Sequence, residues 1–197
     1  MEPTPRRVIL RPINSERHSR KMSEEIRVKL AALHRHWIVA DAVRVVLQQK
    51  TTTPEQEERA IKKFGIEYVA FGEHASMVCR MQVWYSLLYV VVEGYRELKQ
   101  NYEPLEAVLA QTEYVDLLRR FRNATFHFQA DPLNDKLINF LDKRDSEVWI
   151  RDLNMQLEAF FMQALPINEA MMTLESNGVP KIPLGTKLST LFQWGKK

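Results

Sequence analysis

"VWYSLLYVVVEGYREL", residues 83–98, decides the fold. From Val83 to Val92 no residue is charged, and from Val78 onward apolar residues fall on nearly every side of a helical wheel. Such a stretch predicts a central helix packed by several neighbours. Apolar positions lead into it from beyond a break at Gly65, and it runs to Leu98. The uninterrupted run is too short to span a bilayer and leads straight into Glu93.

Outward from this helix, the rest of the chain also has helical spacing. Ile26, Leu30, Leu33, Trp37, Ala40 and Leu47 predict a long amphipathic helix from the cap Ser23 to about Lys50, with Glu24 and Glu25 at its positive end. In "TTTPEQ", Thr53 caps, Pro54 takes the first helical position and Gln56 completes a capping box. Pro104 opens a shorter helix, and Thr112 with Glu113 starts another. "ADPLNDK", 130–136, interrupts that one, and a helix from about Ser146 carries Trp149, Leu153, Leu157, Phe160 and Ala164. Pro166 kinks or ends it, and a last helical piece from Asn168 stops at Asn177-Gly178. With six glycines in 197 residues and no period-2 pattern, the expected fold is all-α, a bundle of about five to six helices.

Charge divides the chain differently. Residues 1–22 carry six basic residues against two acidic ones, net +4, and 177–197 carry four lysines and no acid. The body, 23–176, is therefore net −5 although the whole chain is +3. The basicity belongs to an N-terminal arm and a C-terminal tail, not to a basic nucleic-acid-binding body. The one cysteine, Cys79, allows no internal disulfide and no thiolate zinc cluster, and residues 1–20 contain no apolar signal segment. A cytoplasmic location, with no membrane partner, is the expectation.

One helix mixes core and chemistry: "LRRFRNATFHFQ", residues 118–129. At about 100° per residue, Leu117, Phe121, Ala124 and Phe128 form the expected core stripe, flanked by Arg120, Asn123 and His127. Phe126 falls almost opposite the core. It is expected either in a symmetric dimer interface or beneath another helix of the same chain. Arg122 and His127, five residues apart, lie about 140° apart on a straight helix. Either the helix ends near His127 or a second copy supplies the partner side chain.

"RNATFH", Arg122-Asn123-x-x-x-His127, resembles the R-N-x(3–5)-H signature of the HEPN superfamily of all-α proteins. The preceding "WYSLLYVVVEGYREL" and the following "LLRRFRNATFHFQADPLNDKLINFL" extend the resemblance over roughly residues 65–165. Many HEPN proteins are metal-independent endoribonucleases that act as dimers, so the resemblance implies RNA as substrate, a homodimer and no cofactor. RNA brings its own nucleophile, the 2′-OH. By the resemblance, His127 would act as general base or acid, Arg122 would hold the scissile phosphate, and Asn123 would orient the imidazole or touch the phosphate. A toxin or phage-defence effector restrained by an antitoxin or a larger complex is implied; a HEPN-fold subunit that binds RNA or protein without cutting is the other reading. Some members carry Tyr two residues after the His, where this chain has Gln129. A subset places an acid with a basic residue four later on the earlier helix, whereas Glu93 is followed by Arg96 at three and Glu97 at four.

Arg119 and Arg120 are candidates to grip RNA phosphates, or else ordinary partners of Glu113 and Asp116. Glu93 either supports the site or merely ends the apolar helix. His34 and His36, about 200° apart on a helix, cannot share a metal from one straight helix, and His18 and His74 lack ligand-spaced partners, so no metal site is expected. Trp37, Trp84 and Trp149 sit on core stripes.

Overall fold

The computed structural model describes residues 24–50, 52–131, 134–169, 172 and 176. Its described residues include no strand and seven delimited helices, α1 (Glu24–Val45), α2 (Pro54–Phe64), α3 (Ile66–Glu97), α4 (Glu103–Leu109), α5 (Thr112–Phe126), α6 (Asp135–Leu141) and α7 (Ser146–Ala164), and residues 167–169, 172 and 176 are helical as well. The count exceeds the expected five to six because Gly65 separates α2 from α3 and the short α6 stands alone. Two compact units divide the chain, residues 1–165 and 166–197, and all seven helices belong to the first. The expected cap at Ser23, the basic arm and the basic tail lie outside the described residues.

α3 organises the first unit. α1 and α5 pack along it, α6 packs on α5, and α4 and α7 pack together. The second half of α3 buries Trp84, Tyr85, Leu88, Tyr89, Val91, Val92 and Tyr95. Its first half, from Ile66 to Cys79, buries no residue fully and forms a hairpin with α2. By length and composition alone α3 could cross a bilayer, but 39% of that apolar window is buried inside the protein.

Rings join the layers: Tyr85 lies 5.9 Å from Phe121 and 5.7 Å edge-on to Phe140, and Trp149 stacks on Tyr114 at 5.4 Å. Trp84 and Trp149 are core residues as expected, whereas Trp37 is only partly buried, against His34 and Phe161. Burial holds the His34 imidazole below its ordinary pKa.

Local signals set several ends. The Thr53 hydroxyl accepts from the Gln56 N–H, Gln56 Oε1 accepts from the Thr53 N–H at 2.9 Å, and Pro54 follows the cap. Contacts between distant residues set others. α1 stops at Val45 rather than Lys50, and Arg80 of α3 donates to the Val46 and Gln49 carbonyls in the turn beyond it. Gly94 lets α1 approach α3: a Cβ there would meet Leu33 Cδ1 at 2.4 Å. That contact outweighs the roughly 1 kcal/mol penalty of glycine inside a helix.

Tyr95, fully buried, fastens the end of α3 to α4. Its hydroxyl donates to Glu106 Oε1 at 2.8 Å and accepts from the Tyr102 N–H at 2.9 Å. Removing that hydroxyl strands a backbone donor and a carboxylate, so Tyr95→Phe should lower the unfolding free energy by about 1–3 kcal/mol in urea titration. Burial pushes both Tyr85 and Tyr95 up to about 12, from an ordinary 10.0. The folded state thus holds these protons more tightly than the unfolded chain. Their contribution is complete below pH 10 and lost as pH rises from 10 towards 12. Alkaline unfolding should fall in that window, and Tyr95→Phe should make it shallower.

Candidate functional site

The motif residues sit where the last turn of α5 passes the end of α3. α5 turns Val115, Leu118, Phe121 and Ala124 into the core. The buried stripe is therefore centred on Leu118, with Leu117 only partly buried. Phe128, expected in that stripe, is 94% exposed, because the helix stops at Phe126 and Phe128 lies beyond it.

His127 is the residue at which the helix ends, with extended backbone at φ −117 and ψ 141. Its N–H still donates to the Asn123 carbonyl at 3.1 Å. Of the two ways expected to resolve the angular mismatch with Arg122, the structure has the first: the chain leaves the helix at the histidine. Gln129 pins this exit, its Nε2 donating to the His127 carbonyl at 2.9 Å and its Oε1 accepting from Asn134 Nδ2 at 3.1 Å. Asn134 in turn caps α6, accepting from the Lys136 N–H. The His127 imidazole is exposed and makes no hydrogen bond to a described residue.

Arg122 faces the opposite regime, its side chain only 22% exposed. Nη2 bonds Glu93 of α3, Nη1 donates to Asn123 Oδ1 at 2.9 Å, and the guanidinium carbon lies 5.3 Å from the centre of the Tyr89 ring. Nε is buried without a hydrogen-bond partner among the described residues. Carboxylate, amide and ring together fix the plane of the guanidinium. Glu93 does more than end an apolar helix: it meets Arg122 across 29 residues of sequence.

Tyr89 was not singled out from the sequence. It stands one turn before Glu93, on the same face of α3, and that spacing was the available signal. Burial raises its hydroxyl pKa, as does the Glu93 charge, while Arg119, Arg96 and Arg122 pull it down. It is a phenol held in its neutral form amid arginines.

The remaining candidates separate. Arg119 and Arg120 both pair with Asp116, at 2.6 and 2.7 Å, the ordinary alternative considered above. Arg119 holds the Asp116 carboxyl below its usual range. Glu113 pairs instead with Lys143 of the α6–α7 turn. Phe126 is 48% exposed beside the motif, so no other helix of the described chain covers it.

Glu93 is 46% exposed, so its pair with Arg122 is worth far less than a buried one. A double-mutant cycle on Glu93→Gln and Arg122→Gln should return a coupling of about 0.2–1 kcal/mol in chemical denaturation. No family model, curated protein or solved structure matches the chain.

Proposed function

We propose that this chain is a HEPN-type, metal-independent endoribonuclease, and that it works as a homodimer in the cytoplasm. The observation that carries the reading is the division of labour at the end of α5. A guanidinium is fixed by Glu93, Asn123 and Tyr89, and an open imidazole follows where the helix ends. Phosphoryl transfer from an internal nucleophile needs those two functions and little else.

In the proposed reaction the RNA 2′-oxygen attacks the adjacent phosphorus as its proton passes to a base, and the bond to the 5′-oxygen breaks as that oxygen takes up a proton. The products are a 2′,3′-cyclic phosphate and a 5′-hydroxyl. His127 moves a proton at one of these oxygens, and Arg122 neutralises the charge gathering on the phosphoryl oxygens. One chain offers a single imidazole at this place; pairing through the half-exposed Phe126 face would bring a second. Arg119 and Arg120 retain donor groups towards RNA, though Asp116 already takes much of their charge. A toxin or defence role, restrained by an antitoxin or a larger complex, is consistent with a site open to solvent.

The second reading, a HEPN-fold subunit that binds RNA or protein without cutting, is favoured by one observation. The charge of Arg122 is already met by Glu93, so a phosphate must compete for it.

RNA cleavage should persist in EDTA and vanish in Arg122→Ala and His127→Ala proteins that keep the helical circular dichroism of the wild type. Cleavage that needs a divalent metal, or survives both substitutions, refutes the ribonuclease; RNA binding without cleavage selects the second reading. Phe126→Asp should separate the two motif sites, which lowers the particle mass in light scattering, and remove cleavage.

A further inference from the structure

The first half of α3 has one face turned to α1 and α2 and another that is largely exposed among the described residues. Val69, Glu73, Ser76, Met77 and Arg80 are partly buried on the first. On the other side stand Tyr68, Phe71, Gly72, Ala75, Val78, Cys79 and Gln82, spaced three and four apart over four turns, with no charge among them. Tyr68 is 58% exposed and Phe71 73% exposed, Gly72, Ala75 and Cys79 lie open as well, and Val78 and Gln82 are partly buried at the seam's far end.

Leaving such a seam in water is costly, at roughly 25 cal/mol for each Å² of apolar surface. The order of side-chain sizes identifies what fits it. Place a two-fold axis at Ala75 and run a second α3 antiparallel to the first. Phe71 then meets Cys79, Gly72 meets Val78, and Ala75 meets its own copy, so that Phe71 and Val78 lie against small residues and the axis is left narrow. Tyr68 meets Gln82, which gives the phenol an amide to bond. In parallel register Phe71 would face Phe71 and Gly72 would face Gly72, leaving clashes beside gaps.

We infer that this seam is a second self-association surface, through which two copies pair antiparallel about Ala75. The helix geometry separates it from the motif: Glu93 lies 18 residues beyond Ala75, about 27 Å along the axis at 1.5 Å per residue. In the pair the two Glu93 ends point away from each other, about 54 Å apart. This contact therefore cannot unite two motif sites, and the Phe126 face stays free for that. Two isologous surfaces on one chain build a closed tetramer or an open chain of dimers.

The register makes the inference testable by cross-linking. Ala75→Cys in a Cys79→Ser background should form a covalent dimer under mild oxidation, since small residues at the axis bring the two helices within disulfide reach. Wild-type Cys79, free and exposed, should not, because two copies of it sit eight residues out of register, about 12 Å apart along the axis. In light scattering, Phe126→Asp alone should leave a dimer, and adding Ala75→Arg should yield monomers of unchanged helical content. A monomer with Phe126→Asp alone, cross-linking of Cys79 in place of position 75, or cross-linking at neither would each overturn the inference. None of those results touches the ribonuclease reading, which stands or falls on cleavage by the Arg122 and His127 variants.

Discussion

The end of α3 has to serve two purposes at once. Most side chains from Trp84 to Tyr95 are buried, so α1 and α5 are held against this helix by a continuous apolar surface. Burial of that extent fixes the register of α5, through Leu118 and Phe121, to within a fraction of a turn. Arg122, next to Phe121, is then carried to Glu93 without any need for the ion pair to guide folding. A half-exposed pair worth well under 1–2 kcal/mol could not position α5 by itself. Packing places the arginine, and the carboxylate only sets its angle.

The same division explains what could be read from the sequence. Thr53, Pro54 and Gln56 act within one turn of one another, so a cap is visible in six letters. The all-α class followed from periodicity that needed no tertiary information. The end of α5 had no comparable signal: no glycine or proline stands at 127, and a wheel drawn through Phe128 keeps its phase. What ends the helix is Gln129, held by Asn134, which belongs to the next helix. Only the fold brings those residues together. The one-residue error in the core stripe, Leu117 for Leu118, has the same origin, since Phe128 weighted the wheel from a position outside the helix. The pairing of Glu93 with Arg122 spans 29 residues, and the local pattern around Glu93 pointed only to Arg96 and Glu97.

Arg119 and Arg120 show how a basic run can mislead. The three arginines between 119 and 122, with Phe121 among them, meet two different fates. Two share Asp116 at the surface, where pairing lowers the local field available to a phosphate. The third is drawn inward by a ring and a carboxylate. Burial and partner, not the number of basic residues, separate a positioned guanidinium from solvated ones.

An acidic partner for Arg122 bears directly on how an RNA would be treated. Glu93 keeps the guanidinium ordered in the free protein, which removes part of the entropic cost of fixing it around a phosphate. It also sets a threshold, because a phosphate monoanion must draw hydrogen bonds from a cation already satisfied on one edge. Phosphate charge in the resting diester is single, whereas charge grows on the phosphoryl oxygens as the 2′-oxygen attacks. A guanidinium shared with a carboxylate therefore favours the more highly charged transition state over the ground state, and differential stabilisation of that kind is what accelerates a reaction rather than merely tightening binding. On this view the contact that weakens RNA capture is the one that would make Arg122 useful in cleavage.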